Sequence, residues 1–152
     1  MPLSKSELEQ VAKPTQTLQI IGGAMIMGVS VAGVMLSAVA GFAKLDTELS
    51  MLVAMAAMTG AVMYSIAFGA FKMLSSQTDS KSDDLMSNFK VLQTAWIVRF
   101  AIIEGACFLN LMVTLVEHSL ITLFVAVFGV LLMVIGFPRT MKVEELLEER
   151  MK

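Results

Sequence analysis

Three polar side chains fall within twelve residues of an otherwise apolar stretch of the chain. The stretch reads RFAIIEGACFLN, residues 99–110, and its polar members are Arg99, Glu104 and Asn110. A charge near the centre of a bilayer costs at least about 2.5–3.5 kcal/mol on insertion scales, and carboxylates in such positions commonly mark ion pathways or proton relays. Glu104 is therefore the first candidate for chemistry in this sequence.

Other kinds of chemistry are poorly represented. The spacing of Gly23 and Gly28 matches a phosphate-binding loop, but the lysine that such a loop requires is missing. His118 is the single histidine and Cys107 the single cysteine, so no His/Cys cluster and no Ser/His/Asp arrangement can be assembled within the membrane. We expect no enzyme activity, no cofactor and no metal site.

The elements that must position these residues follow from the distribution of charge. Apolar residues make up 57% of the 152 residues and the mean hydropathy is +0.78, whereas soluble domains are about 45–50% apolar. Four charge-poor stretches reach the roughly 20 residues that a helix needs to cross a bilayer. A spanning segment must satisfy its own backbone hydrogen bonds, so these stretches are predicted to be helical. We expect one all-α membrane domain, an antiparallel bundle of four transmembrane helices at about 17–43, 49–72, 88–116 and 119–138.

The chain beyond the fourth span predicts a further element. Residues 140–152 place Val143, Leu146, Leu147 and Met151 on one stripe at helical spacing. This pattern predicts an amphipathic cytoplasmic helix, which either lies on its own bundle or binds a partner. The loop between the second and third spans is rich in Ser and Asp and is predicted to be irregular.

Orientation follows from the basic residues outside the spans. The two loops predicted on one side contain Lys44 alone, and the other side contains nine: Lys5, Lys13, Lys72, Lys81, Lys90, Arg139, Lys142, Arg150 and Lys152. The positive-inside rule therefore places both termini in the cytoplasm, and we expect the inner (plasma) membrane of a bacterium. The net charge of −2 argues against a nucleic-acid partner.

Depth matching of the predicted spans suggests partners for the three polar residues. Glu104 lies near the middle of its span and reaches neither surface, whereas Arg99 can extend toward cytoplasmic water. Measured from the span midpoints, the polar side chains form three levels: Ser30 and Thr59 with Glu104, Tyr64 and Ser65 with Arg99, and Ser37 and Thr122 with Asn110. We predict an ion-binding site of Glu104, Ser30 and Thr59, supported by the other two levels. Alternatively, all three levels are interhelical hydrogen bonds, each worth under about 1–2 kcal/mol.

Small residues form stripes on the first two spans. The first stripe comprises Ser30, Gly33, Ser37 and Gly41, and the second comprises Ala57, Ala61, Ser65 and Gly69. Small residues let helix backbones approach closely in lipid. The stripes predict tight helix neighbours within the chain or between chains, and we expect a homo-oligomer or a membrane-complex partner.

The second span, the middle loop and the third span together resemble the c-type proteolipid hairpin of rotary ATPases. The resemblance covers residues 49–116 and rests on the second small-residue stripe and on the segment AIIEGACF. It implies a helical hairpin whose mid-membrane carboxylate, Glu104, binds the transported ion.

Three functions remain open at this point. The chain could be an oligomeric protein that handles an ion or a proton through Glu104. It could be a non-catalytic subunit of a membrane complex, in which residues 99–110 set the helix register. It could also be a small proton-coupled exporter with Glu104 as its coupling carboxylate.

Overall fold

The computed structural model describes residues 5–41, 44–76 and 85–150, and these residues form five helices. Their bounds are α1 Lys5–Ala40, α2 Met51–Ser76, α3 Leu85–Glu117, α4 Leu120–Ile135 and α5 Thr140–Arg150. The predicted middle loop falls largely on residues outside the described part, as do the last two residues of the predicted C-terminal helix.

The helices have the length and composition of membrane-spanning segments. Helices α1, α2 and α3 are each long and apolar enough to cross a membrane, and a fourth span results if α4 and α5 form one bent unit. The two helices of that unit meet at 65°. The all-α class is confirmed for the described residues, and three to four potential spans are consistent with an integral membrane protein.

Helix α3 is the centre of the bundle, and α1, α2 and α4 all pack against it. Its buried face repeats every three or four residues and contributes Phe89, Trp96, Phe100, Ile103 and Leu111 to the core. Helix α1 contacts α3 and α4 along one edge, and many of its apolar side chains face outward, among them Met27, Val34 and Val39. The residues on α3 are therefore the ones whose neighbours the fold controls most closely.

At one end of the bundle the chain bends and α5 folds back. Gly136 follows α4 as its C-cap, and Pro138 prevents the helix from continuing. The Gln19 side chain of α1 donates a hydrogen bond to the Pro138 carbonyl at 3.0 Å, and Val143 and Leu147 of α5 are fully buried in the main core. The apolar stripe of α5 thus lies on its own bundle, and we call this the α5 end.

At the opposite end two connections are joined through backbone hydrogen bonds. The Asp46 amide donates to the His118 carbonyl at 2.9 Å, and the Leu120 amide donates to the Asp46 carbonyl at 2.8 Å. His118 adopts a positive φ of 50°, which lets the chain reverse between α3 and α4 within two residues. We call this the Asp46 end.

Several helix bounds differ from the predicted spans, among them the end of α2, at Ser76 rather than 72, and the start of α3, at Leu85 rather than 88. Helix α1 begins at Lys5 rather than near residue 17 and continues through Pro14. Proline frees the carbonyl four residues earlier, here that of Gln10, whose position is exposed and can be hydrated. Helix α4 ends at Ile135 rather than 138, because Gly136 and Pro138 terminate it.

Candidate functional site

Glu104 lies half-buried along one edge of α3. At about 100° per residue it shares a face with Phe100 and Leu111, which contact α1 at Gly22 and Gly33 respectively. Within the described residues the Glu104 carboxylate has no hydrogen bond and no ion pair. It is thus a mid-helix carboxylate on the α1 side of α3, partly open to the surroundings of the bundle.

Ser30 is not placed beside this carboxylate. The Gly22–Phe100 and Gly33–Leu111 contacts keep the same residue offset between α1 and α3, so Ile26 is the α1 residue level with Glu104. Ser30 lies about one turn nearer the Asp46 end, its hydroxyl donates to the Ile26 carbonyl at 2.7 Å, and its side chain lines the groove between α1 and α4.

Thr59 also lies away from the level of Glu104. A Cβ on Gly105 would lie 3.8 Å from the Met63 Cε atom, and one on Gly60 would lie 2.7 Å from the Asn110 Nδ2 atom. These contacts put Tyr64 and Ser65 of α2 level with Glu104, and Thr59 about one and a half turns nearer the Asp46 end. Thr59 is exposed on α2. The structure therefore does not assemble the predicted trio of Glu104, Ser30 and Thr59.

Arg99 is buried rather than extended toward water. Its side chain is 5% exposed, and its guanidinium carbon lies 4.2 Å from the centre of the Phe68 ring and 5.5 Å from that of Phe71. It also packs against Gly136 at the C-terminal end of α4. A cation is favoured both by an aromatic face and by the negative end of a helix dipole, which explains why Arg99 is held inside.

Tyr64 contacts the middle of α3 and α4 instead of the predicted Arg99 level. Its hydroxyl donates to the Val125 carbonyl at 2.8 Å and lies 3.7 Å from the Cys107 sulfur. Gly129 of α4 allows this approach, since a Cβ there would lie 2.8 Å from the Tyr64 Cζ atom. Ser65 points outward, and its hydroxyl donates to the Ala61 carbonyl of its own helix at 3.0 Å.

The three side chains predicted to share one level, Asn110, Ser37 and Thr122, form no hydrogen bonds with one another in the described part of the chain. Asn110 is fully buried, and its amide donates to the Ala106 carbonyl at 2.9 Å. Thr122 pairs with Thr114, with 2.8 Å between the two hydroxyl oxygens. Ser37 is 2% exposed, and its hydroxyl is buried without a hydrogen-bond partner in the described residues. Of these groups, the Thr114–Thr122 pair joins α3 to α4 in the half of the bundle nearer the Asp46 end.

Both small-residue stripes border open grooves beside α4. The α1–α4 groove has a volume of about 300 Å³ and includes Ser30, Gly33 and Ser37 among its lining residues. The α2–α4 groove has a volume of about 430 Å³ and includes Ala57, Ala61 and Ser65. No other described helix of the chain fills either groove, although Gly33 of the first stripe contacts Leu111 of α3 and Ser37 is buried.

Sequence reasoning missed the residues that hold Arg99 and Tyr64 in place. Phe68 and Phe71 resemble ordinary apolar residues of a span, and nothing in their spacing indicates a cation partner. One usable signal exists on α4, where Gly129 and Gly136 lie seven residues apart and therefore on one face. Two glycines on one helix face indicate close approach by side chains from neighbouring helices.

The polar side chains described above could perform few kinds of chemistry. The described residues contain no group of three His, Cys, Asp or Glu side chains able to hold a metal ion. Tyr64 and the Thr114–Thr122 pair form hydrogen bonds between helices, whereas Glu104 is ionisable and unpaired at mid-helix. No family model, no curated protein and no solved structure matches the chain.

Proposed function

We propose that this chain is an integral membrane protein that binds and releases an ion or a proton at Glu104, as a homo-oligomer or with a partner subunit. In this proposal α1, α2, α3 and α4 are four antiparallel spans of a bacterial inner membrane. Both termini lie in the cytoplasm, because the basic residues outside the spans concentrate there. The α5 end is then the cytoplasmic end.

The observation that carries the proposal is the contrast between Glu104, which is ionisable and unpaired, and the partnered side chains of Arg99, Tyr64, Thr114 and Thr122. The buried hydroxyl of Ser37 also lacks a partner among the described residues, but it is not ionisable. Tyr64, Thr114 and Thr122 each have hydrogen-bond partners on neighbouring helices, and Arg99 packs on Phe68. These contacts are what structural polar residues require. Glu104 has no such contact within the described residues, and an unpaired carboxylate at this depth is costly to insert. Binding and release of a cation provide a reason to retain it.

The length of α4 bears on the proposed topology. Its 16 residues cover about 24 Å at 1.5 Å per residue, which is shorter than a hydrocarbon core of about 30 Å. In a four-span arrangement the bend after Ile135 therefore lies close to the cytoplasmic boundary. The resemblance of residues 49–116 to the c-type proteolipid hairpin supports the same direction for α2 and α3.

A second candidate is a non-catalytic subunit that packs against other membrane helices. The two grooves beside α4 favour it, because small residues line both grooves and no other described helix covers them. In that case Glu104 accepts hydrogen bonds or an ion pair from a partner. The two candidates differ in the protonation of Glu104, which can be measured.

The experiment is labelling with dicyclohexylcarbodiimide, which partitions into lipid and reacts with protonated carboxyls. The full chain in liposomes is labelled, and the modified residue is identified by mass spectrometry. We expect Glu104 to be labelled ahead of Glu48, Glu117 and the α5 glutamates, because carboxyls in water are ionised at neutral pH. Glu104→Gln should remove the label, and the matched control Glu48→Gln, in an exposed connection, should keep it.

Stability measurements separate the two candidates. If Glu104 carries an ion or a proton, Glu104→Gln leaves the thermal unfolding temperature close to that of Glu48→Gln. If Glu104 is a structural anchor paired with a partner's cation, it remains ionised and unlabelled, and Glu104→Gln weakens the assembly by leaving that cation unpaired. The second result would overturn the proposal.

A further inference from the structure

We infer that the species bound at Glu104 is the hydrogen ion and not a metal cation such as sodium. The inference rests on the proposed function, which leaves the ion open. Two features of the fold support it. The side chains near Glu104 offer few oxygen atoms, and the nearby backbone carbonyls already accept hydrogen bonds within their helices.

A metal cation and a proton make different demands on a site within a membrane. Hard cations need a shell of oxygen ligands, about 6–8 for Ca²⁺, and selective channels replace the hydration shell with rings of carbonyl oxygens. A proton needs one atom, because it forms a covalent O–H bond with a single carboxylate oxygen. The number of free oxygens around Glu104 therefore distinguishes the two.

The backbone carbonyls of α3 around Glu104 already accept hydrogen bonds within the helix and are not available to bind a cation. Helix α3 is continuous over its 33 residues from Leu85 to Glu117. Carbonyls in the middle of an unbroken helix accept the amide four residues later. Ion sites built from backbone oxygens use broken helices instead. Glu104 lies thirteen residues from the end of α3, well inside the regular part.

Within the described part of the chain, the side chains nearest Glu104 are apolar apart from the thiol of Cys107. On α3 its neighbours one turn away are Phe100, Ala101, Cys107 and Phe108, and the α1 residue at its level is Ile26. The hydroxyls that the sequence assigned to the site lie farther along their helices, Ser30 by about one turn and Thr59 by about one and a half turns, and that of Ser30 opens to the α1–α4 groove. Glu104 itself supplies two oxygens, far fewer than a metal cation requires.

The charged and titratable groups near this level also disfavour a second cation. On α3 they are Arg99 and Cys107, and on α2 the phenol of Tyr64. Residues 14–41 of α1 and α4 itself have no acidic or basic side chain. A bound sodium ion would lack a further carboxylate and would face the Arg99 charge from one to two turns away. Protonation instead leaves a neutral carboxylic acid.

Protonation of Glu104 needs no reactant other than water and its hydrogen ion. A lone pair on one carboxylate oxygen of Glu104 forms an O–H bond with a proton delivered by hydronium, and water is released. Deprotonation returns the proton to water. No electron is transferred and no other bond changes.

The test measures the rate of carbodiimide labelling of Glu104 in liposomes as pH and sodium are varied independently. Sodium chloride is exchanged for choline chloride at constant ionic strength, and the chain unfolded in dodecyl sulfate serves as the control for any direct effect of salt on the reagent. We expect the rate to fall as pH rises, by roughly tenfold per pH unit once the carboxyl is mostly ionised. At each pH the rate should be the same in sodium and in choline.

The possible results distinguish failure of proton selectivity from failure of ion binding at Glu104. Slower labelling in sodium than in choline, for the folded chain alone, would mean that sodium occupies the site; it would overturn the inference and leave ion binding at Glu104 standing. Absence of labelling at every pH and salt, with wild type and Glu104→Gln indistinguishable, would overturn the proposed function itself. Labelling that depends on pH alone supports both.

Discussion

The guanidinium carbon of Arg99 lies 4.2 Å from the centre of the Phe68 ring, so the buried cation of α3 rests on an aromatic face of α2. The carboxylate five residues along the same helix lies on the α1 side instead. Because the two charges point to different neighbours, the fold stabilises Arg99 without neutralising Glu104. This separation is the basis for assigning a structural role to one residue and a binding role to the other.

The Arg99–Phe68 contact should be measurable as an energetic coupling. We expect a double-mutant cycle of Arg99→Met and Phe68→Leu to give a coupling of about 0.5–2 kcal/mol in the free energy of unfolding, the range for cation–π pairs. Unfolding is followed by dodecyl sulfate titration in mixed micelles. The control cycle pairs Arg99→Met with Phe124→Leu, an exposed phenylalanine of α4. Equal coupling in both cycles would contradict the assignment.

Gly129 should tolerate a methyl group poorly. A Cβ at this position would lie 2.8 Å from the Tyr64 Cζ atom and closer still to the Cys107 sulfur. We therefore expect Gly129→Ala to lower the free energy of unfolding by about 1–3 kcal/mol, the usual penalty of overpacking. The matched control is Gly69→Ala on α2, where a Cβ meets nothing within 4 Å. Thermal unfolding in detergent checks both, and the idea fails if both variants behave alike.

The α2–α4 groove should matter for assembly. Ala61 is exposed and lines this groove, so Ala61→Leu fills the space into which a neighbouring helix would pack. We expect the oligomer or partner complex seen by native mass spectrometry in mild detergent to weaken. Val62→Leu, on the adjacent exposed position of α2, should leave it intact. A monodisperse monomer that neither substitution changes would count against the assembly.

The proposed topology predicts opposite labelling of the two ends of the bundle. Glu48 and Lys142 are both exposed, near the Asp46 end and at the α5 end respectively. With Cys107 fully buried, Glu48→Cys should react with an impermeant thiol reagent added outside intact cells, and Lys142→Cys should react after the membrane is opened. Labelling of both from outside would refute the orientation.

The sequence by itself determined the helical class of the chain and the position of its apolar helices. Both depend on composition along the chain, because a segment of about 20 apolar residues has to satisfy its backbone within itself. It also identified Glu104 as a carboxylate near the middle of a long apolar helix. None of this requires knowledge of which helices touch.

The tertiary structure alone decided which polar side chains meet. Matching span midpoints placed Tyr64 level with Arg99, but in the bundle Tyr64 lies beside Cys107 and Phe68 lies beside Arg99. The shift is about one helical turn, or 5.4 Å, and it arises because helices pack by the fit of their side chains rather than by their centres. Rotation about each axis matters as much, since it turns Ser30 toward the α1–α4 groove and leaves Glu104 on another side. Axial shift and rotation are set by packing between helices, and a single span does not encode either.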